Sequence, residues 1–106
     1  MKILKTGFAV IYRWQVQAGF EKQFKTAWAT ITELLIEKQG ARGSRLHQTE
    51  EGIWVAYAQW PSKQAWVDSQ NQDSVDAEVS RQMAEKIQKR FDPILLHPVD
   101  DYLMPE

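Results

Sequence analysis

The sequence predicts an α+β protein of the split βαβ, ferredoxin-like kind, with a four-stranded antiparallel sheet and helices on one of its faces. Three observations carry that prediction. Residues Phe8–Val16 alternate strictly, with Phe8, Val10, Tyr12, Trp14 and Val16 on one face and Ala9, Ile11, Arg13 and Gln15 on the other. The period then changes, and Phe24, Ala27, Trp28, Ile31, Leu34 and Leu35 recur at three- and four-residue steps. Finally, residues 53–60 (IWVAYAQW) contain no charge and have no polar face, the pattern of a strand covered on both sides.

The remaining elements fall in order around these. Gln17-Ala18-Gly19 turns the chain out of the first strand, with Gly19 supplying backbone freedom. The amphipathic helix runs over 20–39, and Gly40 is placed to close it in a left-handed conformation. Residues 43–49 (GSRLHQT) form a polar strand near a sheet edge, joined to the uncharged strand by the hairpin-length Glu50-Glu51-Gly52. Pro61 ends that strand, and Ser62 caps a short helix over 62–69 whose inward residues are Ala65 and Trp66. Val75, Val79, Met83, Ile87 and Phe91 follow at four-residue spacing. They predict a second long helix that ends near Arg90, started by Asp73 or Ser74 and broken by Asp92-Pro93. Residues 94–103 form a last strand, interrupted by Pro98. Residues 1–6 are expected to be a frayed lead-in.

At 106 residues the chain is one domain. A formal net charge of −1, with bases scattered among acids, gives no patch for nucleic acid. The lack of cysteine removes disulfides, thiolate nucleophiles and thiolate metal sites. No stretch approaches the roughly 20 apolar residues of a membrane span, and the apolar run after Lys5 is too short for a secretion signal. The expectation is a cytoplasmic protein without membrane contact.

Chemistry-bearing residues are few. His47 and His97 show no metal-ligand spacing, so no metal is expected. Asp100-Asp101 point to opposite faces if they lie on a strand. No nucleophile elbow, phosphate loop or dinucleotide fingerprint occurs. The aromatic set is the stronger signal, with five tryptophans and three tyrosines in the chain. These side chains either fill the core and a dimer contact, or line a cavity for a flat hydrophobic ligand. Arg13 lies opposite Tyr12 and Trp14 in the alternation and suits a pairing across a subunit interface. A two-sided strand in so small a sheet, with helices on one face only, leaves the other face for a second subunit.

The run VIYRWQVQAGFEKQFKTAW, followed by GSRLHQTEEGIWVAYAQWPSKQAW, resembles the antibiotic biosynthesis monooxygenase domain family. The resemblance spans about residues 8–69 and loosens towards the C-terminus. It implies a homodimer whose open sheet faces pack into a dimeric α+β barrel, with a small-molecule site between sheet and helices in each subunit. It further implies cofactor-independent oxygenation of a small aromatic or quinol-like compound, in which the substrate supplies the electrons. Tyr12, Trp14, Trp28 and Trp66 are the substrate-binding candidates, with His47 and Tyr57 as the candidate catalytic groups. The family's haem-degrading branch places an Asn, a Trp and a haem-ligating His where this chain has Tyr12, Ser69 and Val79. Haem oxygenation is therefore not expected. The alternative is a non-catalytic dimeric module that binds a small molecule or is purely structural, and the same barrel also hosts isomerases and lyases.

Overall fold

The computed structural model describes residues 7–104; the expected lead-in at 1–6 lies outside the described residues. Strand β1 (Phe8–Val16) leads to helix α1 (Glu21–Gln39), strands β2 (Ser44–Gln48) and β3 (Trp54–Trp60), then helices α2 (Lys63–Gln70) and α3 (Ala77–Glu85). Two short strands, β4 (Ile87–Arg90) and β5 (Ile94–Leu96), complete the chain. The antiparallel sheet runs β2-β3-β1-β4, with β5 also on β1. All helices lie over one face, so the α+β, ferredoxin-like arrangement holds.

The helix-facing side of the sheet is set by register. Phe8 pairs with Trp60, Val10 with Ala58, Tyr12 with Ala56 and Trp14 with Trp54. These even positions face α1. Phe24 of α1 is fully buried and meets the Trp14 ring edge-on at 5.3 Å and the Trp54 ring at 5.8 Å. Two buried groups result: Phe8, Val10, Ala58 and Trp60 at one end, and Trp14, Phe24 and Ala56 at the other. Tyr12 packs against both.

Local signals end the helices as the residues require. Gly40 closes α1 with φ 75°, and its N–H reaches the Leu35 carbonyl. Ser62 Oγ accepts from the Ala65 N–H at 3.0 Å and starts α2. For α3 the cap is Asp76, whose carboxylate accepts from the Val79 N–H at 3.0 Å, rather than Asp73 or Ser74.

The C-terminal third departs from expectation. Helix α3 stops at Glu85, and Ile87–Arg90 is strand instead of the continuing helix that the four-residue stripe predicts. The open edge of β1 takes this segment as a partner, an instance of tertiary pairing overriding local periodicity. Gln17 secures the change of direction. Its N–H binds the Lys86 carbonyl at 2.8 Å and its side-chain amide donates to the Glu85 carbonyl at 2.9 Å. Ile87 still reaches the core beside Trp14 and Phe24, but from a strand. The last strand is likewise shorter than 94–103. It covers three residues, because β4 and β5 share the fourth place in the sheet on either side of Asp92-Pro93. A continuous ladder would bring Ile94 opposite Val10; it sits opposite Ile11 instead, so one residue is absorbed at the break.

Candidate functional site

A cavity of about 400 Å³ lies between the helix-facing side of the sheet and the helices, within the size range of small-molecule sites. Its floor exists because β3 carries Ala56 and Ala58 between its tryptophans. Small side chains at two successive inward positions leave a hollow that larger residues would fill. Helix α1 contributes Trp28, Ile31 and Leu35, three residues at helical spacing on one wall. Tyr12 and Trp14 form the sheet side, their rings stacked at 5.9 Å and 10°. The segment between α2 and α3 closes part of the top, and Met83 of α3 completes the apolar lining.

Polar side chains gather at the rim, from the ends of α1 and α2 and the α2–α3 segment, while a few stand deeper in the cavity. The Trp66 indole N–H donates to Tyr12 Oη at 2.7 Å. Trp66 itself stands behind the wall, with its ring 6.0 Å from that of Phe8. Its hydrogen bond occupies an acceptor position on the phenol and leaves the Tyr12 O–H available as a donor. Burial pushes the Tyr12 pKa above its ordinary value of 10.0, and the hydrogen bond from Trp66 offsets this only in part. Tyr12 is therefore a neutral phenol at neutral pH, suited to donating a hydrogen bond and unsuited to acting as a base.

Ser44 lines the cavity from β2, opposite Ala58, and its buried Oγ has no hydrogen-bond partner within the protein. A buried hydroxyl without a partner is uncommon and is free to meet a ligand. Ser69 Oγ bonds to Gln39 Oε1 and ties the ends of α2 and α1 together at the rim. Arg90 reaches the cavity from β4, opposite Trp14, and Asp73 from the α2–α3 segment. Tyr12, Asp73 and Arg90 are the titratable groups of the lining.

The structure thus brings Tyr12, Trp14 and Trp28 to the cavity and sets Trp66 one layer behind, bonded to Tyr12. His47 and Tyr57 are placed elsewhere. Arg45 pairs with Tyr57 and His47 with Val55, which puts both expected catalytic side chains on the sheet face away from the helices. There, Arg45 Nε donates to His47 Nε2 at 2.8 Å, and the Arg45 guanidinium lies 5.9 Å from the Tyr57 ring centre. Neither side chain lines the cavity. Ser44, Arg90 and the two alanines are the site features that the residue pattern alone does not bring forward. The alternation of β3 contains the clue, since Ala56 and Ala58 are its inward positions between Trp54 and Trp60.

Among the described residues no three His, Asp or Glu side chains converge as a metal ligand set, and no helix is long and apolar enough to cross a membrane.

A family model described as antibiotic biosynthesis monooxygenase matches residues 7–81. Several solved structures share the fold. A conserved protein from Methanosarcina mazei Go1 is 15% identical over 87% of this chain and 92% of its own, with a TM-score of 0.71. Rv0793 from Mycobacterium tuberculosis is 18% identical over 91% of this chain and 98% of its own, with a TM-score of 0.70. SnoaB from Streptomyces nogalater, described as a cofactor-independent oxygenase, is 13% identical over 90% of this chain and 95% of its own, with a TM-score of 0.73. At such identities the likeness is one of fold. None of the curated proteins matches the sequence.

Proposed function

This chain belongs to the antibiotic biosynthesis monooxygenase family, and from that premise we propose that its cavity binds a small aromatic phenol or quinol and oxygenates it without a cofactor. The observation that carries the reading is the open, aromatic-walled cavity with a neutral Tyr12 O–H and an unpartnered Ser44 hydroxyl facing one side of it.

The chemistry suits such a lining. A phenol with a free para carbon can become a para-quinone at the expense of one O2. One oxygen atom becomes the new carbonyl, and the other leaves as water with the phenolic and ring hydrogens. All electrons come from the substrate, so the protein's task is to hold the ring, exclude water and steady the developing charge. Trp14 and Trp28 supply flat surface for the ring. The Tyr12 O–H and the Arg90 guanidinium are the groups that favour an oxyanion in the cavity. His47 and Tyr57 take a different part on this reading. With Arg45 they belong to the face across which two copies associate, so that the working unit is a homodimer through the open sheet face.

The test is oxygen uptake with a panel of hydroxynaphthalenes, run on the wild-type chain and on Ala58→Leu, which fills the floor of the cavity. Uptake matched by quinone formation in the wild type, lost in a folded Ala58→Leu variant, is the expected result. No uptake across the panel would overturn the enzymatic reading. If the same compounds then raised Tm in the wild type but not in Ala58→Leu, the chain would be a non-catalytic binding module.

A further inference from the structure

The cavity changes character from floor to mouth. Alanines, Trp14, Trp28 and the apolar residues of α1 make its deeper surface, whereas the rim is polar. At the rim the last residue of α1, Gln39, meets the last turn of α2 and the segment that leads on to α3. Gln39, Gln70 and Gln72 bring amides there, and Ser69, Ser74 and Ser80 bring hydroxyls. Two hydrogen bonds hold this rim in shape. Ser69 Oγ donates to Gln39 Oε1, and the Ser74 and Ser80 hydroxyls bond to each other. The first of these occupies the amide oxygen of a half-buried side chain and turns its N–H groups into the donors that Gln39 offers.

Electrostatics narrows what such a rim can hold. Asp73 is the one carboxylate of the lining. Helices α1 and α2 both end at the rim, so each presents the negative end of its dipole. The positive end of α3 is already answered by its own cap, Asp76. Arg90, the one cation of the lining, stands on β4 in the sheet layer. The mouth is therefore electronegative and rich in groups that both donate and accept. A neutral substituent with several hydroxyls matches it: its O–H groups donate to Asp73 and to the amide oxygens, and its oxygens accept from the amide N–H groups. A carboxylate or phosphate at the same place would meet like charge.

We propose that the mouth is a subsite for a hydroxyl-rich, sugar-like substituent carried by the aromatic ligand, held between Gln39, Gln72 and Asp73 while the ring lies on the alanine floor. The inference rests on the ring-binding reading of the cavity given above and adds the polar half of the ligand. The two halves divide the work, since burial of the ring supplies affinity and the polar groups fix orientation. A ring anchored at both ends presents one carbon rather than several to the reaction.

Isothermal titration calorimetry with a dihydroxynaphthalene, its mono-glucoside and its mono-glucuronide tests this on the wild type, Ala58→Leu and Gln72→Ala/Asp73→Ala, with tryptophan emission as the check on folding. In the wild type the glucoside should bind about fivefold more tightly than the diol, the worth of one net hydrogen bond, and the glucuronide more weakly than the glucoside. The ratio of diol Kd to glucoside Kd should fall towards one in Gln72→Ala/Asp73→Ala, and Ala58→Leu should lose all three compounds. A glucoside no tighter than the diol, a glucuronide as tight as the glucoside, or an unchanged ratio in the double variant would overturn the polar subsite and leave the ring site standing. Binding of none of the three compounds to the wild type would overturn both.

Discussion

Trp66→Phe is the sharpest probe of the site, because it removes the one hydrogen-bond donor to Tyr12 while keeping an aromatic ring in the wall behind it. The bond it deletes, 2.7 Å from Nε1 to Tyr12 Oη, joins two half-buried neutral groups, a class worth about 1 kcal/mol net. Tyr12→Phe deletes the same bond from the other side and leaves the indole N–H without its acceptor, at a cost of about 1–2 kcal/mol. Each single change also alters packing near Phe8, so neither value alone measures the bond. The double variant does: the three urea-unfolding free energies should depart from additivity by about 1 kcal/mol. The titration of Tyr12, taken as the difference in tyrosinate absorbance between each chain and its Tyr12→Phe counterpart, supplies an independent reading. Burial holds the phenol pKa above 10.0 and the Trp66 bond pulls it partway back, so loss of the indole should move the midpoint further up. The sign for stability follows from the same shift. The folded state holds the Tyr12 proton more tightly than the unfolded state. This contribution is complete below pH about 10 and is lost as the pH rises through the folded-state value. Additive free energies, or a Tyr12 midpoint that stays put or falls in Trp66→Phe, would refute the account of the pair.

Three further substitutions test the frame that holds the site. Gly7→Ala should destabilise by about 1–3 kcal/mol, since a Cβ at Gly7 would stand 1.7 Å from the Pro61 carbonyl oxygen and force the start of β1 away from the end of β3; thermal unfolding checks it. Phe24→Ala should cost about 3–5 kcal/mol in denaturant unfolding, because the ring is fully buried between Trp14 and Trp54. Asp76→Ala should cost about 1 kcal/mol by removing the acceptor for the Val79 N–H, and hydrogen exchange should quicken in the first turn of α3 while α1 is unchanged.

The contrast between β1 and β4 shows what the residue pattern carries. Alternation locates β1 to the residue, because its period of two is unbroken from Phe8 to Val16 and the turn at Gln17-Ala18-Gly19 bounds it. At 86–90 the four-residue stripe is equally compatible with a helix. The deciding influence is the unpaired edge of β1, a partner some seventy residues away in the chain that no local window contains. The same limit explains the site residues. Tyr12 and Trp14 share a face by alternation within one strand, so their meeting is readable from sequence. Whether His47 and Tyr57 join them depends on the register between strands, and a slip of one residue exchanges the two faces. Arg90 is hidden for a compound reason: it joins the cavity only because the segment that carries it is a strand. The hollow itself is a matter of Ala56 and Ala58, small residues that draw attention only when their register with Tyr12 and Val10 is known.

That register also bears on where the proton goes if the cavity oxygenates a phenol. Tyr12 is held in its neutral form, and Arg90 is a cation that favours an anion rather than generating one. Asp73 is exposed at the rim, away from the buried end of the cavity where Tyr12 stands. No buried group of the lining is a base, so on the proposed reading the ligand's own acidity does the work, helped by Arg90 and by the Tyr12 O–H once the oxyanion has formed. The pH–rate midpoint should therefore track the substrate. Across hydroxynaphthalenes of graded acidity, the midpoint for oxygen uptake should fall as the substrate pKa falls, and Arg90→Gln should displace every midpoint upward while leaving the ranking intact. A midpoint that is the same for every substrate would place the base on the protein, and Asp73→Asn, by abolishing or sparing that midpoint, would say whether it is the carboxylate at the rim.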